Sequence, residues 1–385
     1  MRGDGTKVSL RRDYVRAQTA ANMLEHRYGS TVLNSREQDR GVRGLEPAEI
    51  ETTRRTGAPE PVRYTLERKV RAAATVSKTE AEFVRRVCAD GVLIRPRYDR
   101  GTTGTVVGYS VAATPARGDR ATGTAPVWYG GGRLSKDLTL PRLRDEWDTS
   151  APANEAAAQE WRAARQRSAV TVGNGRERAG LDPAMYARAA ADMDRWNTYL
   201  ASVPTSDRAQ WTRAAGRASG VFAAWSARIE STPGPLAAAS ASLAQSAQTP
   251  AHTRGEGAGA RMTAAAGAAL VLLQATTTDP TAAMALLLHQ LMRTLDAVAA
   301  AHRAAGEADR AAQLVDVRAR HLDALHTRLA NPMTAASAFE VHHESVRRGQ
   351  LRDAATVSIA APESAGRSTR PGVRRTQHDR SGRER

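Results

Sequence analysis

The sequence predicts an α+β N-terminal module, with helices and a small antiparallel sheet, followed by a mostly α-helical bundle and a disordered basic tail. Three observations support this prediction. Alternating, strand-like patterns with glycine turns occur only between residues 92 and 129. Beyond residue 150, Ala-rich stretches have helical spacing and strand patterns vanish. Residues 362–385 are rich in Arg, Ser, Gly and Pro with almost no apolar side chains, which is typical of disorder.

These patterns divide the chain into four segments. Residues 1–62 contain one helix and a polar connector, and residues 63–149 form the small α+β module. Residues 150–350 form the Ala-rich helical domain, and residues 351–385 form the basic tail.

The spacing of apolar residues and the capping patterns predict the helices of the first two segments. Apolar positions at helical spacing predict an amphipathic helix over residues 11–28, and residues 46–51 are expected to start a short helix. A further helix is expected over residues 64–74. Thr79 with Glu82 three residues later forms a capping-box pattern, which predicts a helix that ends at Gly91.

The strands lie between that helix and Trp147. Residues 92–98 and 105–111 flank a glycine-rich turn, which is typical of a β-hairpin. Residues 127–129 predict a third strand, closed by three consecutive glycines. Pro141 at a first helical turn then predicts a helix that ends at Trp147.

The remaining segment is predicted to be helical throughout. The expected helices cover residues 153–168, 183–200, 206–229, 236–248, 262–275, 281–329 and 334–349. In the helix over 281–329, Leu291, Leu295 and Val298 begin a heptad-like seam that extends to Leu329. This seam fits either an antiparallel bundle within one chain or an oligomer that forms through the helical domain.

The charge of the chain suggests a polyanionic partner. The formal net charge is +16, and four of the 56 basic residues are Lys, so Arg dominates. Arg binds phosphate through two hydrogen bonds and stays charged, which favours nucleic acid. The alternative is that Arg and Ala reflect a GC-rich genome.

Several kinds of site are not expected. Cys88 is the only cysteine, so a disulfide framework and a cysteine metal cluster are excluded. The His residues lack metal-ligand spacing, and we expect no metal or cofactor in this chain. The longest apolar run, residues 264–275, is too short to span a bilayer, and residues 1–14 have no signal-peptide core. We therefore expect a cytoplasmic protein with no membrane partner.

The candidate binding residues are basic side chains of the α+β module. Arg95 and Arg97 alternate along the first strand and therefore share one face, while Arg100, Arg133 and Lys136 lie in turns nearby in sequence. A ribbon with an Arg face can lie on a phosphate backbone. The alternative is a solvated strand face. No phosphate-binding loop or activated nucleophile pattern accompanies these residues, so no catalytic residue is predicted.

Three stretches resemble a known family. They are DGTKVSLRRDYVRAQTAANMLEHRYG (4–29), SREQDRGVRGLEPAE (35–49) and the segment 79–147 with FVRRVCADGVLIRPRY, VVGYSVA and WYGGGRLSKDLTLPRLRDEW. The last is the most specific. On these motifs the sequence is similar to the relaxase/mobilisation nuclease proteins of actinobacterial plasmids and integrative elements.

The resemblance implies a role in plasmid or integrative-element transfer. Members of this family nick one DNA strand with an N-terminal Tyr and a divalent metal held by a His cluster, and neither motif is present here. We therefore expect a C-terminal portion of a relaxase, with residues 1–62 a remnant of the relaxase domain and connector. It would be inactive as a nuclease alone.

The implied partners are DNA, as a single strand or the origin duplex, and conjugation accessory or coupling proteins. The alternative function is a helical scaffold or adaptor that binds polyanions without specificity.

Overall fold

The computed structural model describes residues 44–99, 104–114, 125–165, 184–248, 263–274 and 281–330, with isolated positions between 17 and 28. The chain divides into two units, Met1–Ala336 and Ser337–Arg385, and the described residues all belong to the first. The helix predicted over 11–28 is described only at isolated positions. The helix predicted over 334–349 and the tail over 351–385 lie outside the described residues.

The α+β module follows the predicted order of elements. These are α1 (Pro47–Thr56), α2 (Val62–Val76), α3 (Glu80–Ala89), β1 (Val92–Tyr98), β2 (Val106–Ala113), β3 (Tyr129–Gly130), α4 (Gly131–Leu134), a 3-10 turn (Lys136–Leu138), α5 (Leu140–Arg144) and α6 (Ala151–Arg165). The helix predicted to end at Trp147 is shorter, because a 3-10 turn precedes it and it ends at Arg144.

The N-cap predicted for α3 is present, but the Glu82 carboxylate binds a different backbone amide from the one expected. The Glu82 amide donates to Thr79 Oγ1 at 3.2 Å, so Thr79 is the N-cap. The Glu82 carboxylate accepts from the Lys78 amide at 3.0 Å instead of the Thr79 amide. The helix is followed by Gly91 at φ 70°, a left-handed conformation that glycine adopts without strain.

The three strands form an antiparallel sheet of order β1-β2-β3, so the predicted hairpin is confirmed. Arg95 pairs with Ser110, and Ser110 pairs with Gly130, which places these three residues in one row across the sheet. β3 is an edge strand of two residues, shorter than predicted.

The helices of the bundle are α7 (Ala184–Ser202), α8 (Arg208–Ile229), α9 (Pro235–Ser246), α10 (Thr263–Gln274), α11 (Thr281–Ala304), α12 (Ala308–Val317) and α13 (Asp323–Ala330), with a π-helical segment (Arg318–Leu322) between the last two. The prediction of one helix over 281–329 is wrong. Gly306 at φ 73° terminates α11, and Glu307 precedes α12.

The core of the α+β module combines aliphatic side chains with a cluster of aromatic rings. Phe83 lies 5.4 Å from Tyr109 and 5.1 Å from Trp147, measured between ring centroids, and Tyr109 stacks on Trp161 at 6.4 Å. Helices α3 and α6 pack against one face of the sheet. On the other face, Arg95 and Arg97 of β1 are exposed.

Helix α2 joins the module to the bundle. It packs against α3 on one side and against α8 on the other. A Cβ at Gly220 of α8 would lie 1.7 Å from Thr75 Oγ1, so only glycine permits this crossing. The division at residue 150 stays a prediction, and helix packing extends across it.

The heptad-like seam is buried within the chain. Leu291, Leu295 and Leu322 are fully buried, and Val298 and Leu329 are nearly so. The observed packing is therefore that of a bundle within one chain. Among the described helices, none has the length and apolar character needed to cross a membrane.

Candidate nucleic-acid interface

The open face of the sheet carries both predicted strand arginines. Side chains alternate along β1, so Val92 and Ile94 are buried while Arg95 and Arg97 are exposed. Around Arg95 and Arg97, the residues on this face are small or aromatic, and Leu93 and Ala112 continue the face towards the start of β1. We call this surface the outer sheet face, and it consists of Arg95, Arg97, Gly108, Ser110, Trp128 and Gly130.

Arg95 stacks on an aromatic ring. Its guanidinium carbon lies 4.1 Å from the ring centroid of Trp128, within the range of a cation–π contact. Trp128 is half-buried and lies two residues before Gly130. The sequence-based prediction missed Trp128, although period-two alternation from Gly130 places it on the same face.

Arg97 lies over a glycine of the neighbouring strand. A Cβ at Gly108 would be 3.0 Å from both Nε and Nη2 of Arg97, so the guanidinium covers this position closely. Ser110 and Gly130 also have small or no side chains, which leaves a low surface between the arginines and Trp128. Within the described ranges, neither Arg95 nor Arg97 forms an ion pair.

Arg133 has different surroundings. It lies on α4, forms an ion pair with Glu46 at the start of α1, and has its guanidinium carbon 5.8 Å from the ring centroid of Tyr129. Tyr129 is buried, on the face of β3 opposite to Trp128 and Gly130. Burial and a hydrogen bond to Glu49 raise the pKa of Tyr129 to about 12.

Lys136 lies at the junction with the bundle. Its amide donates to Gln248 Oε1 at 3.2 Å, and Gln248 also bonds to Ser135. Lys136 is half-buried and separated from the outer sheet face by α4 in sequence.

A buried polar network occupies the same junction. Arg71 is 2 % exposed and donates to Ser135 Oγ at 2.9 Å, to Glu67 Oε1 at 3.1 Å and to Asp137. Burial opposes the charge of Arg71, but the carboxylates of Asp137 and Glu67 outweigh it and raise the Arg71 pKa. Burial also raises the pKa of Glu67. Through these bonds the network joins α2 to Ser135 and to Asp137 of the 3-10 turn.

The predicted set of basic residues is therefore divided. The structure brings Arg95 and Arg97 together on the outer sheet face and gives Arg133 and Lys136 other partners. Arg100 lies outside the described residues. In the part of the chain that the structure describes, no three His, Cys, Asp or Glu side chains form a group that can hold a metal ion.

Known proteins give no further identification of this surface. Comparisons of the chain with protein-family models, with curated proteins and with solved structures find no match.

Proposed function

We propose that this chain binds DNA through the outer sheet face, with a preference for single strands. The observation that carries the proposal is the stack of Arg95 on Trp128 at 4.1 Å, next to Arg97, on an exposed sheet face. In the described part of the chain neither arginine pairs with a carboxylate, and both are exposed, which supports contact with a polyanion.

The chemistry of the outer sheet face suits an extended single strand. Guanidinium groups donate two parallel hydrogen bonds to phosphate oxygens, and planar guanidinium and indole groups stack on bases. Ser110 and Gly130 have only small side chains or none to hold the nucleic acid away from the sheet. Because every base has a π face, such a surface tolerates many sequences.

The resemblance to relaxase/mobilisation proteins supplies a biological setting for this activity. In that setting, the chain would bind DNA during plasmid or integrative-element transfer, and the helical bundle would dock on accessory or coupling proteins. The support for this part of the proposal is the motif resemblance within residues 79–147.

A second candidate function is a helical scaffold with non-specific polyanion binding. The net charge of +16 favours it, because charge alone can attract nucleic acid at low salt. The two candidates differ in where binding occurs, since the second requires no contribution from the outer sheet face beyond its charge.

The test replaces both arginines, as Arg95→Ala with Arg97→Ala, and measures fluorescence anisotropy of single-stranded and duplex oligonucleotides at fixed salt. We expect about a ten-fold loss of affinity for the single strand, because two phosphate contacts disappear. The matched control is Arg303→Ala with Arg328→Ala, which removes two exposed arginines from the bundle. Equal affinities in the two double variants would contradict the proposal and favour the scaffold.

A further inference from the structure

Helix α1 lies against the protein with its polar face inward. Glu46 at its N-cap, Glu49 and Thr53 are half-buried, whereas Ile50 is 53 % exposed. No residue of α1 is fully buried. A helix that packs through apolar contacts has the opposite arrangement, so α1 is held mainly by its carboxylates.

Those carboxylates meet two arginines, which we call the basic pair, Arg63 and Arg133. Glu49 Oε1 lies 3.7 Å from Arg63 Nε, with side-chain exposures of 9 % and 3 %, and Glu46 pairs with Arg133. Arg133 uses Nη2 for this contact, while its buried Nε has no hydrogen-bond partner among the described residues. Arg133 therefore keeps one donor that no group of the described residues uses.

The carboxylates of Glu46 and Glu49 place negative charge against Arg63 and Arg133, as the phosphates of a bound polyanion would. Tyr129 adds a phenolic hydroxyl, and Glu49 is near enough to it to raise the Tyr129 pKa. β3 is the edge strand, so Trp128 on one face and Tyr129 on the other flank the same edge of the sheet. A nucleic-acid strand that crosses this edge meets the outer sheet face first and the basic pair next.

The attachment of α1 rests on few contacts. A helix of ten residues is marginal by itself, and the Glu46–Arg133 pair, with side-chain exposures of 46 % and 35 %, stabilises the fold only slightly. The Glu49–Arg63 pair is buried, so an incoming anion must take the place of Glu49 beside Arg63 to avoid an unpaired buried charge. A capping box from the Glu46 amide to Glu49 Oε2, at 2.7 Å, keeps α1 intact when it moves. A phosphodiester can therefore replace the two carboxylates without unfolding the buried core.

We propose that Arg63, Arg133 and Tyr129 form a phosphate site, which Glu46 and Glu49 of α1 fill when nucleic acid is absent. This inference rests on the proposed function, because the ligand is a backbone phosphate of the same DNA strand. Helix α1 then acts as an internal competitor that lowers the affinity for DNA until a strand on the outer sheet face displaces it.

The test replaces Glu46→Gln with Glu49→Gln, which keeps shape and capping but removes both charges. We expect about a five-fold gain in affinity for the single-stranded oligonucleotide, because the internal competitor is weakened. The matched control, Glu51→Gln with Glu155→Gln, removes two exposed carboxylates that do not contact the basic pair. We expect it to change affinity less than about two-fold. Addition of Arg133→Ala to the first variant should cancel its gain.

Hydrogen exchange gives an independent readout on the unmodified chain. On addition of the oligonucleotide, amides of residues 47–56 should exchange faster, while those of residues 151–165 stay unchanged. An unchanged affinity of the Glu46→Gln, Glu49→Gln variant, or slower exchange of α1 on binding, would overturn the phosphate site. Either result leaves the proposed function standing as long as Arg95→Ala with Arg97→Ala still loses affinity.

Discussion

The outer sheet face and the basic pair contain the same kind of side chain in opposite surroundings. On the outer sheet face, Arg95 and Arg97 lie over an indole ring and a glycine, with no carboxylate partner among the described residues. In the basic pair, Arg63 and Arg133 each meet a glutamate of α1. Arginine content alone therefore does not locate a binding site, because neighbouring groups decide which charges are available.

The difference also separates two ways in which a variant can lose DNA binding. A change on the outer sheet face removes a contact, whereas a change in α2 or α8 disturbs the support of both surfaces. Arg63 lies on α2, and the sheet packs against the core to which α2 contributes.

The largest expected effect is a loss of stability at the crossing of α2 and α8. Gly220→Ala places a Cβ 1.7 Å from Thr75 Oγ1, within a closely packed crossing. We expect it to lower the free energy of unfolding by about 3 kcal/mol, because overpacking forces backbone shifts. Urea denaturation followed by circular dichroism measures this change.

Gly216→Ala is the matched control on the same helix. A Cβ there meets Ala247 and Asp137 at 3.4 Å, an ordinary contact, and alanine favours the helix by about 1 kcal/mol. Equal stabilities of the two alanine variants would show that the α2–α8 crossing is looser than described, and that the two surfaces are not supported through it.

A smaller effect is expected from Trp128→Ala, which removes the stacking surface but no charge. We expect about a ten-fold loss of affinity for a single strand and a smaller loss for a duplex, because stacking requires an exposed base. The control is Val127→Ala, at a neighbouring residue that is 67 % exposed. Equal losses for single strand and duplex would mean that Trp128 does not stack on bases.

The smallest expected effect concerns the ionisation of Tyr129 beside the basic pair. Burial and the Glu49 hydrogen bond raise its pKa from 10.0 to about 12. Because the folded-state pKa is the higher one, the stability contributed by neutral Tyr129 is present below pH 10 and is lost as the pH rises towards 12.

Glu49→Gln should lower the pKa of Tyr129, because it removes the negative charge that opposes phenolate formation. Ultraviolet absorbance titration, with Tyr129→Phe as the reference that isolates this phenol, measures the change. A pKa that Glu49→Gln leaves in place would show that α1 does not contact Tyr129 in solution.

The sequence predicted the elements whose signals are local. Alternation gave β1 and β2 and the shared face of Arg95 and Arg97, and the cap at Thr79 gave the start of α3. The break at Gly306 was missed because the heptad-like spacing continues on both sides of it, although glycine is a common helix terminator.

The sequence does not show which of the basic residues lie on the outer sheet face and which pair with other groups. Glu46 and Arg133 are 87 residues apart, and no local pattern links them. The same is true of Arg71 and Asp137, which are 66 residues apart. Trp128 is different, since period-two alternation places it on the same face as Gly130, although its position beside Arg95 depends on the strand register.

Photo-cross-linking tests the central claim most directly, because it identifies the side chains that touch the bound strand. The unmodified chain is cross-linked to a single-stranded oligonucleotide with halogenated pyrimidines, digested, and mapped by mass spectrometry. We expect the main adduct to lie on the peptide containing Trp128 and to be lost in Arg95→Ala with Arg97→Ala. Adducts confined to the bundle or to residues 351–385, with none at Trp128, would contradict the central claim.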